Sequence, residues 1–385
     1  MSRPEAVSAW EQIVSRQLPT LSAPQARVLA LWSFGVVLAQ RCGQTSVVVA
    51  VAHLLGHREA TVRQQLREWC YAAADKRGRQ RKAVEVEDCF APLLGWVLHW
   101  WTPNRERRLA LALDATTLGA RFTVLALCVV YRGGAVPVAW AVVGATTPGA
   151  WRPHWERLLR RMQASVPAGW QVIVLADRGL YAPWLFRAIT ALGWHPGLRL
   201  NGGAGSGLYR LPTGGGWRPL RGLLTQPGDT WNGAVFCFHA QPIAGTLLAH
   251  WEPGYREGWL VLTDLPPSAA NVVWYGLRAW VECGFKDLKR DGWQWQHTRM
   301  LDPERAARFW LVLAVATLRV LSVGGMAEER LPGGWSAAHT APRLLSCFRR
   351  GILTLLTAFL TNQSPPTARF VPEPWQTDFR PKTYP

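Results

Sequence analysis

Three carboxylates in this 385-residue chain lie where acidic side chains could act on a phosphate. Asp114 ends an alternating apolar run, and Asp177 follows the short apolar run QVIVLA. Both runs predict β-strands, so both aspartates are expected at strand ends. Glu282 lies later, in a segment with helical periodicity. Carboxylate oxygens are preferred ligands of Mg²⁺ or Mn²⁺, and two such ions can promote an in-line displacement at phosphorus. The sequence therefore predicts a metal-dependent phosphoryl-transfer site.

The segment from residue 271 to residue 290 is predicted to be one helix with two faces. Its apolar stripe consists of Leu277, Val281, Gly284 and Leu288. Its polar face holds four residues within about 60° of one another, with Lys286 at their border. These four are Tyr275, Arg278, Glu282 and Lys289. The alternative is an exposed helix with weak i, i+4 ion pairs. That alternative leaves Asp114 and Asp177 unexplained.

The polar face resembles the YREK signature of DDE-type insertion-sequence transposases. Its four residues are separated by two, three and six intervening residues, as in that signature. Asp114 in LALDAT and Asp177 in VLADRG occupy the positions of the family's two aspartates. A predicted β-rich insertion lies between Asp177 and Glu282. The resemblance covers residues 105 to 325.

This resemblance implies an endonuclease that binds the terminal inverted repeats of its own element. It would cut the DNA there and join the 3′-hydroxyl ends to target DNA, by a cut-and-paste route that can pass through hairpin ends. Asp114, Asp177 and Glu282 would be the catalytic residues and would bind two Mg²⁺ or Mn²⁺ ions. A homodimer would hold the two DNA ends. Tyr275, Arg278 and Lys289 would hold the phosphates near the cut. Lys286, at the border of the polar face, and Arg178, next to Asp177, are also expected at DNA phosphates, although an ion pair within the fold is equally compatible with Arg178.

Several tryptophans are open to two interpretations. Trp251 and Trp259, late in the insertion, are candidates to stabilise a flipped base, as an inserted tryptophan does in the resembling family. Trp293 and Trp295, just beyond Lys289, could stack on DNA bases. Each of the four could instead be packed in a core.

The succession of elements around the aspartates predicts an α/β fold with an RNase H-like mixed sheet flanked by helices. Strands are expected from residue 108, at 122–131 and at 135–143, with the last two joined by a glycine-containing turn. A helix at 151–162, a strand at 171–176, a helix at 183–192 and a strand near 195–200 follow. The predicted order is β-β-β-α-β-α-β.

The chain is predicted to contain a helical N-terminal DNA-binding domain and a mostly β insertion. The expected units are residues 1–104 (helical domain and basic linker), 105–200 (first part of the catalytic core), 201–265 (insertion), 266–325 (second part of the core) and 326–385 (C-terminal helices and tail). Residues 46–71 resemble a helix-turn-helix, although two packed core helices are equally compatible. The cationic run 76–82 is expected to be a linker that touches phosphates or a solvated loop. The tail from residue 364 is expected to be flexible.

Composition and charge limit the class of protein. The chain has 43 Lys and Arg against 25 Asp and Glu, a formal charge of +18, which indicates a polyanion-binding protein. With 49% hydrophobic and 18% charged residues it is too apolar to be a disordered chain. Its seven scattered cysteines form no C-x-x-C pair, which disfavours a disulfide framework or a zinc cluster. We expect a cytoplasmic, nucleoid-associated protein with no membrane partner.

Two other functions are compatible with parts of this pattern. One is a catalytically inactive, transposase-derived DNA-binding regulator. The other is an RNase H-like nuclease that only hydrolyses DNA. The three carboxylates argue against the regulator, and the insertion with the cations around Glu282 argues against the simple nuclease.

Overall fold

A computed structural model describes residues 3–77, 82–101, 107–147, 151–202, 207–290, 292–331, 344–364 and 366–378. The helices are α1 (Arg3–Gln17), α2 (Ala23–Ala39), α3 (Gln44–Leu55), α4 (Glu59–Trp69), α5 (Phe90–Trp100), α6 (Arg152–Arg161), α7 (Pro183–Thr190), α8 (Ala279–Leu288), α9 (Pro303–Glu329) and α10 (Cys347–Leu360). The strands are β1 (Arg108–Leu118), β2 (Phe122–Tyr131), β3 (Gly134–Gly144), β4 (Gln171–Ala176), β5 (His195–Arg199), β6 (Leu208–Arg210), β7 (Arg218–Pro219), β8 (Thr230–Cys237), β9 (Ile243–His250) and β10 (Trp259–Thr263). The order β1-β2-β3-α6-β4-α7-β5 confirms the predicted succession.

These strands form one mixed sheet in the order β3-β2-β1-β4-β5-β10-β9-β8-β6-β7. The first three are antiparallel neighbours, and β4 and β5 run parallel to β1. Every residue of β2 is buried, and α6 and α8 pack against it. A strand that is covered on both faces needs a nearly continuous apolar sequence, which β2 has. The topology of β1 to β5 is that of an RNase H-like sheet, as predicted.

The predicted β-rich insertion extends this same sheet. Strand β10 pairs antiparallel with β5, and β9, β8, β6 and β7 follow outward as antiparallel neighbours. The insertion is thereby attached to the core along a strand edge. It cannot move as a separate body without breaking the hydrogen bonds between β5 and β10.

Helix α9 is the central helix of the core. Asp302 caps its N-terminus by accepting hydrogen bonds from the backbone N–H groups of Glu304 and Arg305, with Pro303 at the first helical position. The helix is long and apolar enough to cross a membrane by length and composition, but 94% of that stretch is buried inside the protein. It packs against α2, α10 and β3. Burial on all sides explains why it lacks a polar face.

The N-terminal helices confirm the predicted helical region. Helices α3 and α4 form the expected pair, joined by Gly56 in a left-handed conformation (φ 65°). Gly35 of α2 lets α3 approach closely, because a Cβ there would lie 2.6 Å from side-chain atoms of Val47 and Val51. Helix α5 was not predicted. Residues 78–81 of the predicted cationic run lie outside the described residues.

The predicted flexibility of the tail is wrong for residues 366–378. Phe370 is fully buried, with its ring 6.0 Å from that of Trp101 and 5.0 Å from that of Tyr131. Its backbone N–H donates to the Trp100 carbonyl at 2.9 Å. Its apolar side chain fills a gap beside the start of the sheet, and this burial outweighs the chain entropy that a proline-rich segment would keep in solution.

We predict that Phe370→Ala lowers the free energy of unfolding by about 3 kcal/mol, because it empties a fully enclosed aromatic site. Urea unfolding followed by circular dichroism measures this change. Leu360→Ala, at a side chain that is 74% exposed, is the control and should cost less than about 0.5 kcal/mol. Equal effects of the two substitutions would contradict the packing of the tail.

Candidate active site

The register of two parallel strands places Asp114 beside Asp177. The last paired residues of β1 and β4 are Leu113 and Ala176, and the two aspartates are the next residues along each chain. Because parallel strands end at the same edge of a sheet, both carboxylates lie at one edge. Gly179 donates its N–H to the Asp177 carboxylate at 2.9 Å, which caps the short 3-10 turn after β4.

Asp114 was expected at the end of its strand, but it lies within the strand. Strand β1 continues to Leu118, and Asp114 pairs with Ala126 of β2. Only the parallel pairing with β4 stops at Leu113. The alternating sequence did not show this difference, because the polar residues after Asp114 are held in the sheet by β2 alone. The aspartate is consequently more enclosed than a strand-end residue, with 18% of its side chain exposed.

The predicted single helix over residues 271–290 is also wrong. Residues Val272–Arg278 form a 3-10 helix, and α8 begins at Ala279. Helix α8 ends at Leu288, and the backbone of the next residue, Lys289 (φ −103°, ψ −112°), is not helical. Two different helical periods cannot keep one polar face over the whole segment. Tyr275 is accordingly buried, whereas Glu282 is exposed.

Arg278 joins the three carboxylates. One nitrogen of its guanidinium donates to Asp114 Oδ2 at 2.9 Å and lies 3.5 Å from Asp177 Oδ2, and the other donates to Glu282 Oε1 at 2.5 Å. The planar guanidinium presents several donors in a fixed fork, which suits it to this role. The structure thus brings together the three acidic residues that the sequence singled out. They meet around a positive charge.

Burial and charge shift the proton equilibria of this cluster. Burial raises the pKa of Asp114 above its ordinary value of 3.8, helped by the negative charges of Asp177 and Glu282, while Arg278 and the Ala115 N–H oppose the rise. Burial alone would lower the pKa of Arg278, but the surrounding negative groups outweigh it and raise that pKa. The enclosed Asp114 carboxylate therefore depends on a nearby positive charge to stay ionised at neutral pH.

Lys289 lies beside the C-terminal end of β1. Its ammonium group donates to Thr116 Oγ1 at 2.6 Å and to the Thr117 carbonyl at 2.7 Å. Burial lowers its pKa, and the charge of Arg290 lowers it further. Lys289 thereby ties the end of α8 to the strand that carries Asp114. Lys286, one turn earlier, is exposed to solvent.

A second charged group adjoins Asp177. Arg178 binds Glu257 through both terminal nitrogens, at 3.1 and 2.5 Å, and Arg199 donates to the same carboxylate at 2.8 Å. Although burial works against ionisation, hydrogen bonds and charge from the two arginines lower the pKa of Glu257. The Arg199 guanidinium also lies over the Tyr275 ring, 5.9 Å from its centroid, and burial raises the pKa of the Tyr275 hydroxyl to about 12.

Sequence reasoning missed Arg199 and Glu257. Arg199 ends an ordinary short strand, and Glu257 lies in the loop between β9 and β10. Neither belongs to a motif, and the two are separated by 58 positions along the chain. Only the pairing of β10 with β5 brings them together.

The four tryptophans considered as DNA contacts differ in their burial. Trp293 and Trp295 are fully buried; the first donates its indole N–H to Thr317 Oγ1 at 2.9 Å, and the second packs edge-on against Trp310. Their packing accounts for them without DNA. Trp259 is half-buried and contacts the Tyr275 ring edge-on, with the ring centroids 5.3 Å apart. Trp251 donates its indole N–H to the Tyr255 carbonyl at 3.0 Å.

The donor atoms of the cluster are of the type that a divalent cation prefers, but their present spacing does not suit one. Three carboxylates face one another with a single guanidinium between them, so the cluster keeps an excess of negative charge. Oxygen ligands of this type suit Mg²⁺ or Mn²⁺. Within the part of the chain that the structure describes, no group of three or more His, Cys, Asp or Glu side chains is spaced to hold a metal ion. Arg278 takes up the space between the carboxylates.

Comparison with known proteins gives a family match and a distant structural likeness. A family model described as a transposase DDE domain matches residues 106–319. No curated protein matches the chain. The cryo-EM structure of a piggyBac transposase synaptic complex with hairpin DNA is similar over 93% of this chain and 79% of that chain, at 11% sequence identity and a TM-score of 0.36. A likeness this distant adds nothing to the argument. The family match covers more than half of the chain.

We predict that Asp114→Asn is more stable than the wild type at neutral pH. A raised pKa means that the folded state binds this proton more tightly, so wild-type stability falls as pH rises from the unfolded pKa through the folded pKa. Asparagine removes that loss. Urea unfolding of both proteins between about pH 4 and about pH 7 should show the advantage of the variant growing with pH.

Asp229→Asn is the control of opposite sign. Backbone N–H groups of Thr225 and Gln226 and the Thr225 hydroxyl lower the pKa of Asp229. The wild type therefore gains stability as pH rises from that lowered pKa to the ordinary value of 3.8, so the variant should fall behind between about pH 2 and about pH 5. If the two substitutions change with pH in the same direction, the account of Asp114 is refuted.

Proposed function

Because the chain belongs to the DDE transposase family, we propose that it cuts DNA at the terminal inverted repeats of an insertion sequence and transfers the 3′-hydroxyl ends to target DNA. The convergence of Asp114, Asp177 and Glu282 on Arg278 carries this proposal. These residues are far apart in sequence, and each of them contacts the same guanidinium. A chain that only bound DNA would have no physical need for a partly buried cluster of like charges.

The chain's own residues would supply the oxygen ligands of two divalent cations, a type of cofactor that this family typically uses. The catalytic ligands would be Asp114, Asp177 and Glu282. Bound cations would lower the pKa of the attacking oxygen and stabilise the leaving oxygen. Asp114 and Asp177 are fixed by strand register, whereas Glu282 is exposed on a helix and can adjust its position. In this structure Arg278 neutralises part of their charge.

Cationic residues around the cluster would hold the DNA backbone. We propose that Arg278, Lys286 and Lys289 contact phosphates near the cut, and that Arg178 and Tyr275 do so on the side of Asp177. The ammonium of Lys289 already lies at the end of β1 beyond Asp114. The formal charge of +18 supplies a general attraction for DNA.

Several finer features belong to the same proposal. The domain at residues 1–104, which contains the α3 and α4 pair, would bind the terminal repeats. Two copies of the chain would hold two DNA ends, and the excised end would be able to pass through a hairpin. Trp259, beside Tyr275, is the better placed of the two insertion tryptophans to stabilise a flipped base.

We predict that Glu282→Gln lowers metal-dependent cleavage by at least about a hundredfold and leaves DNA affinity unchanged. The amide keeps the shape of the side chain but loses the charge that a cation requires. Cleavage of linear DNA carrying the element's ends, with Mg²⁺ or with EDTA, is the measurement. Glu11→Gln, on α1 and paired with Arg27, is the control with the same change of charge. Undiminished cleavage by Glu282→Gln would refute the assignment of Glu282 as a ligand.

Joining of ends separates a transposase from a nuclease that only hydrolyses. We predict that pre-cut DNA with free 3′-hydroxyl ends is joined to a supercoiled target plasmid when Mg²⁺ is present. Gel analysis of the plasmid detects the joined product, and ends lacking the 3′-hydroxyl are the control. Hydrolysis without any joined product would support the nuclease, and binding without any cut would support the regulator.

A further inference from the structure

Glu257 of the insertion loop is held by two arginines next to the carboxylate cluster. Its carboxylate accepts hydrogen bonds from Arg178 at 3.1 and 2.5 Å and from Arg199 at 2.8 Å. Arg178 immediately follows Asp177 in the chain, and the Arg199 guanidinium lies over the Tyr275 ring, 5.9 Å from its centroid. Two guanidinium groups therefore converge on one anionic group.

This arrangement has the chemistry of a phosphate site. The guanidinium fork binds a carboxylate and a phosphate in the same bidentate manner, with two parallel N–H···O bonds. Arg199 has only 17% of its side chain exposed, whereas Arg178 and Glu257 are each 48% exposed. One arginine is thus fixed by its surroundings, and the group opens to solvent on the other side. A DNA strand could approach from that side.

The contacts that fix the insertion loop do not depend on Glu257, so its side chain can move away from the two arginines. The loop is fixed at its base, where Trp251 exchanges backbone hydrogen bonds with Gly228 and Asp229, and Trp251 Nε1 donates to the Tyr255 carbonyl. These contacts do not involve Glu257. Its half-exposed carboxylate can rotate into water, and its ion pair with the half-exposed Arg178 is of the weak, solvent-screened kind. The enclosed Arg199 would then lack that partner, which favours another anion in the place of Glu257.

We propose that Arg178 and Arg199 form a binding subsite for a DNA backbone phosphate, and that Glu257 fills this subsite when DNA is not bound. The inference rests on the proposed function, since it assumes that DNA reaches the carboxylate cluster. It adds Arg199 as a phosphate ligand and gives the insertion loop a role. The loop carries a carboxylate that competes with the substrate, so DNA must displace Glu257 to occupy the subsite.

The test compares two glutamates of the same loop. Glu257→Gln removes the competing charge, whereas Glu252→Gln makes the same change of charge at a residue that contacts His250 instead. Binding of a short fluorescent DNA duplex of arbitrary sequence is measured by anisotropy, in EDTA and over a series of NaCl concentrations. We expect Glu257→Gln to bind about fivefold more tightly than Glu252→Gln. Glu257→Ala serves as a second variant.

A double substitution checks that the arginines carry the effect. In a protein with Arg178→Ala and Arg199→Ala, the change Glu257→Gln should no longer improve binding, because the subsite is gone. This background should also show a weaker dependence of affinity on salt, since fewer phosphates are neutralised.

Four results would overturn the inference. Weaker binding by Glu257→Gln would mean that Glu257 positions the arginines for another purpose. Equal binding by the two single variants would mean that Glu257 does not compete with DNA. An absence of duplex binding altogether would mean that DNA does not occupy the subsite. An improvement that persists without the arginines would place the effect elsewhere. The assay needs no cleavage, so a protein that binds as expected but never cuts DNA would refute the proposed function and leave this inference standing.

Discussion

The mutual repulsion of three carboxylates is the constraint on which the site depends. Asp114, Asp177 and Glu282 are held within reach of one guanidinium, and Asp114 is largely enclosed. A partly buried carboxylate without a positive partner would be protonated or would move into water. Arg278 supplies that partner, and its own pKa is raised by the charges it neutralises. Arg278 offsets only part of the negative charge of the cluster, and the excess is what the proposed cations would neutralise.

The rest of the fold can be understood as the scaffold for this cluster. The parallel register of β1 and β4 sets the two aspartates side by side, and the close approach of α8 to β3 sets the third residue opposite them. That approach requires Gly284, because a Cβ there would lie 2.7 Å from the Ala135 Cβ. Lys289 then fixes the end of α8 to β1. The insertion continues the sheet and brings Glu257 to the arginine beside Asp177.

Much of this could be predicted from the sequence, because local periodicity carries the information. The strands at residues 108, 122 and 171 and the helices around them follow from alternating or helical apolar patterns. The identity of the three carboxylates follows from their spacing within a family signature. The contacts of Arg278 with Asp114 and Asp177 could not be predicted, since they join residues 164 and 101 positions apart. The 3-10 helix at Val272–Arg278 was missed because a short apolar segment has no distinct period, and Phe370 was missed because its burial depends on a gap left by other elements.

The most direct measurement of the central claim is a crystal structure of the protein soaked with Mn²⁺, with anomalous scattering used to locate the metal. We predict an anomalous peak between the carboxylates of Asp114, Asp177 and Glu282, with Arg278 withdrawn from Asp114. Crystals in which Mn²⁺ binds only elsewhere, while Arg278 still bridges the three carboxylates, would contradict it. The Arg278 cluster would then be a structural ion-pair network and not a cation site.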